Sequence, residues 1–170
     1  MKNIALIGLM GSGKSTIGAL LAQKLNLNFI DIDTEIEKKE KITISEIFAQ
    51  KGEPFFRELE SETIKEFSAK TSQIISTGGG AVQNIENLEF LKQNCTLIYL
   101  KTSPELLFER IKDDTSRPLL QNQQNENPLE ILKELLKKRQ ENYQKADIII
   151  DTDNKTTIEI LDEIIKNVKS

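Results

Sequence analysis

Residues 8–16 constrain this chain more than any other stretch. The run 3–7 is apolar enough for a buried strand, and it breaks at Gly8. Gly8-Leu-Met-Gly11-Ser12-Gly13-Lys14-Ser15 then fits G-x-x-x-x-G-K-[ST], and a helical apolar pattern begins at once. Glycines allow the tight turn that brings consecutive backbone N–H groups to one point, a nest for phosphate oxygens. The N-terminus of the following helix adds partial positive charge at the same place. Lys14 offers a mobile full charge to the outer phosphates, and the Ser15 hydroxyl is suited to Mg²⁺. Gly-Ser-Gly also occurs in linkers, but a linker needs neither a strand before it nor a helix after it. The segment reads as a nucleotide-phosphate site.

The rest of the chain repeats the alternation that this opening starts. Four more apolar runs have strand length, at 28–31, 73–76, 96–100 and 147–150. Helical patterns separate them, so the expected fold is α/β, a parallel sheet covered on both faces. The first helix is expected over 14–25, with Ile17, Leu20, Leu21 and Leu25 on one stripe. Thr43-Ile-Ser-Glu46 is a capping-box pattern opening a short helix that Gly52 can end. Pro54 suits the first turn of another, with Phe56, Leu59 and Phe67 as core candidates. Ser103-Pro104 and Asn127-Pro128 each pair a capping side chain with proline, and a last amphipathic helix is expected over 156–168. Two helices thus fall within 32–67, more than a crossover needs. Residues 112–127 are polar and rich in Asn and Gln, and a loop of that length is usually functional or disordered. With no repeat and no linker, residues 1–170 read as one domain.

Composition removes several chemistries. There is no histidine, which excludes Ser-His triads, His-ligated zinc and imidazole acid–base catalysis. The one cysteine, Cys95, excludes an internal disulfide and opens an apolar run, where it reads as a buried filler. A net charge of −4 does not favour nonspecific nucleic-acid binding, so an anion must be held by a local cluster. The longest apolar runs are too short for a membrane span, and we expect a cytoplasmic protein.

Other residues carry two readings each. Asp31 and Asp33 close strand two, where ligands meet a parallel sheet, but Asp also favours turns and helix caps. Thr77-Gly78-Gly79-Gly80 follows strand three; close approach of a ligand to the backbone is one reading, a tight bend the other. Arg57 and Glu60 are spaced as a surface ion pair, or as a guanidinium fork for a substrate carboxylate held by Glu60. Only four of the 23 basic residues are arginine: Arg57, Arg110, Arg117 and Arg139. That scarcity hints at planar, bidentate contacts, although Lys137-Lys138-Arg139 would ordinarily be a solvated helix face.

Taken together, Gly8 to Thr16, Asp31-Ile-Asp33, Phe55-Phe56-Arg57-Glu58-Leu59-Glu60, Thr77 to Gly80, Arg117-Pro118-Leu119-Leu120 and Arg139-Gln-Glu-Asn-Tyr143 strongly resemble the shikimate kinase family, in order and over essentially the whole chain. The resemblance implies a three-layer P-loop kinase fold with a five-stranded parallel sheet in the order 2-3-1-4-5. It implies phosphoryl transfer from MgATP to the 3-hydroxyl of shikimate, on the route to chorismate and aromatic amino acids. By position, Asp33, Arg57, Gly79, Gly80 and Arg139 would contact shikimate, with Arg57 and Arg139 on its carboxylate. Gly11, Ser12, Gly13, Lys14, Ser15 and Thr16 would hold the ATP phosphates, with Ser15 on Mg²⁺ and Asp31 behind it through water. Arg117 matches an arginine of a lid over 112–124 that closes on the transferring phosphate, Arg110 one that stacks near adenine. A shikimate-binding region over 33–61 is also implied. At Asn154, another expected nucleotide contact, some relatives carry arginine.

Lys14, Asp33 and Arg117 are therefore the expected catalytic residues. Phosphoryl transfer needs positioning and charge neutralisation, which a site without histidine can supply. Asp33 would orient the attacking hydroxyl, alone or also as a late proton acceptor. Shikimate, ATP and Mg²⁺ are the expected partners of a monomer, with neither nucleic acid nor membrane. The nearest rival is a kinase of the same fold acting on a nucleotide or on gluconate. A guanine-nucleotide switch is the other; Asn154-Lys155-Thr156-Thr157 resembles Asn-Lys-x-Asp, but Thr157 stands where the aspartate is needed, and no D-x-x-G follows strand three.

Overall fold

The computed structural model describes residues 2–113 and 127–169. Five strands, β1 (Asn3–Ile7), β2 (Asn28–Asp31), β3 (Gln73–Ser76), β4 (Cys95–Lys101) and β5 (Ile148–Asp151), form one parallel sheet in the order β2-β3-β1-β4-β5. β4 and β5 each extend one residue past the expected end, and β4 also starts one residue sooner. β1 is buried along its whole length, as a central strand covered on both faces must be.

Side-chain alternation sends the sheet into two cores. Ile4, Leu6, Ile74, Ile98 and Leu100 face one side, beneath helices α1 (Lys14–Leu25) and α7 (Thr157–Lys169). Ala5, Ile7, Ile75, Leu97 and Tyr99 face the other, beneath α2 (Ile32–Glu40), α3 (Ile44–Ser68), α4 (Ile85–Asn94), α5 (Pro104–Ile111) and α6 (Pro128–Tyr143). The result is three layers. Cys95 lies wholly in the second core, where burial pushes its thiol up to about 12, so it is filler and not a nucleophile.

Four expectations need correcting. Leu20 does not join the α1 stripe and is 37% exposed. The buried face runs through Ile17, Gly18, Leu21 and Ala22 instead, and Gly18 is there because Phe29 fills the space where a side chain would stand. The segment between β2 and β3 holds more helix than expected, because Asp31 caps a separate helix α2 directly at the strand end. The α3 capping box forms as expected between Thr43 and Glu46, and the helix breaks at Gly52 (φ 82°, ψ 167°) before resuming through Pro54. Phe56 is core, whereas Leu59 and Phe67 are only partly buried. Finally, α7 starts at Thr157, because Thr156 is its cap and closes a second box with Glu159.

Candidate active site

The carboxyl ends of β1, β2 and β3 meet α1 around a cavity of about 550 Å³. Gly11 and Gly13 take φ of 79° and 91°, which gives the loop its inward curl and starts α1 at its base. Lys14 is buried and donates to the carbonyls of Gly8 (2.8 Å) and Leu9 (3.0 Å), so its charge stays within the loop. The Ser15 hydroxyl donates to Asp31 Oδ2 (2.5 Å) and lies 3.4 Å from the Ser76 hydroxyl. Asp31 Oδ1 meanwhile accepts from the Thr34 N–H (3.1 Å). One Asp31 oxygen thus caps α2, as the cap reading expects, while the other accepts from the loop serine.

A second cavity of about 390 Å³ opens beside the first, and Met10, Asp33, Gly78 and Gly79 wall both. Its charged wall is gathered from separate helices. Arg57 on α3 donates through Nη1 to Glu60 Oε2 (2.8 Å) and through Nε to Glu53 Oε1 (3.3 Å). The Glu60 side chain is 1% exposed, so this pair is not a solvated surface bridge. Arg139 on α6 is buried too, despite its neighbouring lysines.

The three glycines explain how these groups converge. None has positive φ; they are small for space. A Cβ on Gly80 would stand 2.7 Å from Arg57 Nη2, one on Gly79 3.2 Å from Arg139 Nη1, and one on Gly78 against Glu60 Oε1. Neither a tight bend nor a ligand alone accounts for them. The approach to the backbone is made by the protein's own charged side chains.

Burial raises the Asp33 carboxyl from 3.8 to about 6, reinforced by the charges of Glu60 and Asp31 and partly offset by Lys14 and Arg57. Burial also raises Glu60, against the pull of Arg57 and Arg139. Among the described residues, Asp33 Oδ1, Glu60 Oε1 and Arg139 Nη1 are buried polar atoms without a hydrogen-bond partner. Two acceptors and one cationic donor around one small cavity fit a ligand that carries hydroxyls and an anionic group.

The expected residues therefore fall into two groups. Gly11 to Thr16, Asp31, Asp33, Gly79 and Arg110 line the larger cavity; Asp33, Arg57, Gly79, Gly80 and Arg139 line the smaller. Asn154 is exposed and left-handed (φ 57°) and is not part of either wall; Lys155 and Thr157 line the larger cavity instead. Arg117 and most of the expected lid lie outside the described residues. Ser76 and Tyr143 were given no role from sequence. Ser76 could have been found from its place at a strand's carboxyl end, Tyr143 from its i+4 spacing to Arg139.

The shikimate kinase family model matches residues 10–169. The chain belongs to the shikimate kinase family. The shikimate kinase of Thermodesulfovibrio yellowstonii is 49% identical over 166 residues, covering 98% of this chain and 94% of that one. That of Persephonella marina is 46% identical over 169 residues, covering 99% of this chain and 100% of its own. Among solved structures, the Acinetobacter baumannii shikimate kinase in complex with shikimate superposes with a TM-score of 0.94 at 39% identity, over 99% of this chain and 93% of that one. The resemblance read from the ordered motifs is therefore borne out, and so is the strand order 2-3-1-4-5.

Proposed function

We propose that this protein transfers the γ-phosphoryl group of ATP to the 3-hydroxyl of shikimate, giving shikimate 3-phosphate and ADP on the route to aromatic amino acids. One observation carries the reading: Asp33 stands in the wall shared by a phosphate-loop cavity and a smaller, charged cavity, with one buried oxygen unpartnered. An attacking hydroxyl bound there lies between donor and acceptor sites.

The phosphate loop, Gly11 to Thr16, holds the ATP phosphates by backbone N–H groups, and Lys14 turns from the loop carbonyls onto the outer phosphates. Ser15 and Asp31 fit a Mg²⁺ ion, being adjacent hard oxygen donors. No group of three or more Asp, Glu, His or Cys able to hold a metal occurs among the described residues; phosphate oxygens and water would complete the shell of an ion on Ser15 and Asp31. Such an ion supplies charge neutralisation on the phosphate oxygens when bound. Arg57 and Arg139 take the shikimate carboxylate, Asp33 and the Gly79–Gly80 backbone the ring hydroxyls. Asp33 orients the 3-hydroxyl and, as its oxygen bonds to phosphorus and the bridge to ADP breaks, accepts its proton. Arg110 and Lys155, which line the larger cavity, are assigned to the nucleotide side; Asn154, outside both walls, and Arg117, in the lid, are assigned by family pattern alone.

Residues 1–170 act as one domain, with 33–61 as acceptor region and 112–124 as lid. We read the protein as a monomer, as the family resemblance implies. No described helix is long and apolar enough to cross a membrane. A cytoplasmic location belongs to the same proposal. The test is ADP release by the purified protein, offered shikimate, gluconate or nucleoside monophosphates. Release that depends on shikimate is expected; turnover of only the other acceptors overturns the assignment.

A further inference from the structure

Tyr143, the last residue of α6, is wholly buried, and its hydroxyl donates to the carbonyl of Gly79 at 2.5 Å. Its ring stacks on Tyr99 of β4, with centroids 4.9 Å apart and planes 25° from parallel. Arg139 lies one turn earlier on the same helix, and its Nη1 fills the space that a Gly79 side chain would occupy. Helix α6 therefore meets one glycine twice, by a guanidinium nitrogen 3.2 Å from where its Cβ would stand and by a phenol on its oxygen. A trans peptide fixes the rest: with the Gly79 carbonyl turned to Tyr143, the Gly80 N–H points the opposite way. Both glycines wall the smaller cavity, beside Arg57 and Arg139.

We infer that Tyr143 is a positioning residue for the acceptor: by holding the Gly79 carbonyl, its hydroxyl sets the Gly79–Gly80 peptide and the Arg139 guanidinium against shikimate. It touches neither substrate nor nucleotide in this role. Burial raises the Tyr143 hydroxyl to about 12, with the Arg139 charge opposing, so it stays a neutral donor across the working pH range. Without the hydroxyl, the peptide keeps its place in the chain but loses the contact that selects its orientation. The acceptor side should then suffer and the phosphate loop should not.

This inference rests on the proposed function, and the experiment separates the two. Tyr143→Phe keeps the ring and its stack while removing the one donor, and Tyr99→Phe is the control for a hydroxyl lost elsewhere in the same stack. Steady-state kinetics should show the KM for shikimate rising about tenfold, the worth of one hydrogen bond of about 1.4 kcal/mol. The KM for ATP and kcat should stay within about twofold, and Tyr99→Phe should match the wild type. A shikimate KM within twofold overturns the inference, as does a matched loss in both substrates with a lower melting temperature, which is what a purely structural tyrosine would give. If the wild type shows no shikimate-dependent ADP release, the functional reading fails instead. The orientation is then still decided by the carbonyl carbon-13 shift of Gly79. It should move upfield in Tyr143→Phe alone, and an unmoved signal rejects the contact.

Discussion

The phosphate-loop cavity and the proposed acceptor pocket share Met10, Asp33, Gly78 and Gly79 as walls but are built in different ways. The loop is one contiguous stretch whose glycines adopt left-handed φ, so the backbone itself makes the anion site. The acceptor pocket takes Asp33 from α2, Arg57 and Glu60 from α3, Gly78 to Gly80 from the turn after β3, and Arg139 from α6. Its glycines keep ordinary backbone angles and are small because charged side chains lie on them. A backbone site tolerates change around it and fails when its one mobile charge goes. A site assembled from side chains depends on how each is held, so its losses should fall on acceptor binding.

Lys14→Ala is the largest expected effect. With the outer phosphates left without their lysine, kcat should fall about 10³-fold in the ADP-release assay while the shikimate KM stays nearly constant. A comparable loss in shikimate KM would mean that the two sites do not separate at all.

Asp33→Asn comes next, because Asp33 belongs to both walls. Loss of the orienting carboxylate should lower kcat about 10²-fold. The wild-type kcat/KM should fall on the acid side of about pH 6, where Asp33 becomes protonated, and that limb should vanish in the variant. Stability gives the sign independently. A carboxyl raised from 3.8 to about 6 on folding favours the folded state below pH 3.8, and that contribution is lost as pH rises through 6. Asp33→Asn should therefore melt higher than the wild type at pH 7, with the gap closing towards pH 4. A variant that melts lower at pH 7 refutes the buried-carboxylate account.

Arg57→Ala should act on the acceptor side alone. It removes one carboxylate contact and leaves Glu60 buried without its closest cation, so the shikimate KM should rise about 30-fold, some 2 kcal/mol, with little change in the KM for ATP. Unchanged shikimate kinetics would sink the carboxylate assignment.

The same contrast decides what could be read from the sequence. The loop was legible because its chemistry is local: strand, glycine turn, lysine and helix are adjacent in the chain. Strand order followed from the family resemblance, and the two-faced sheet from the apolar runs. Arg57 and Glu60 carry two readings, surface pair and guanidinium fork, because spacing along a helix does not say whether the carboxylate points inward. Arg139 was hidden by two lysines beside it, since burial is set by what α6 packs against. Helix α2 was missed because Asp31 begins it with no intervening loop. Tyr143 appeared within a motif, but its work depends on a carbonyl 64 residues away.

Gly79→Ala tests the boundary between the two sites. An added Cβ would lie 3.2 Å from Arg139 Nη1, 3.3 Å from the Met10 nitrogen and 3.5 Å from the Gly8 oxygen. Arginine can give way, but the loop backbone cannot do so cheaply, and overpacking of this kind costs about 1–3 kcal/mol. The KM values for shikimate and ATP should rise together, by several-fold each, with a lower melting temperature. If only the shikimate KM moves, the displacement stops at Arg139 and the loop is more independent than the shared wall suggests.

Arg110→Ala should give the smallest effect and sharpen the contrast from the nucleotide side. Arg110 lies exposed in the last turn of α5 and donates through Nη1 to the Gly11 carbonyl at 3.0 Å. An exposed contact competes with water, so its removal should raise the KM for ATP only about two- to threefold. The effect should shrink further at high salt, because the charge is screened there. Arg110 lines the larger cavity and not the smaller one, so the shikimate KM should not change. A shift in shikimate KM as large as that for ATP would show that a charge at the mouth of the nucleotide cavity reaches the acceptor, and the division between backbone-built and side-chain-built halves would then hold for construction but not for binding.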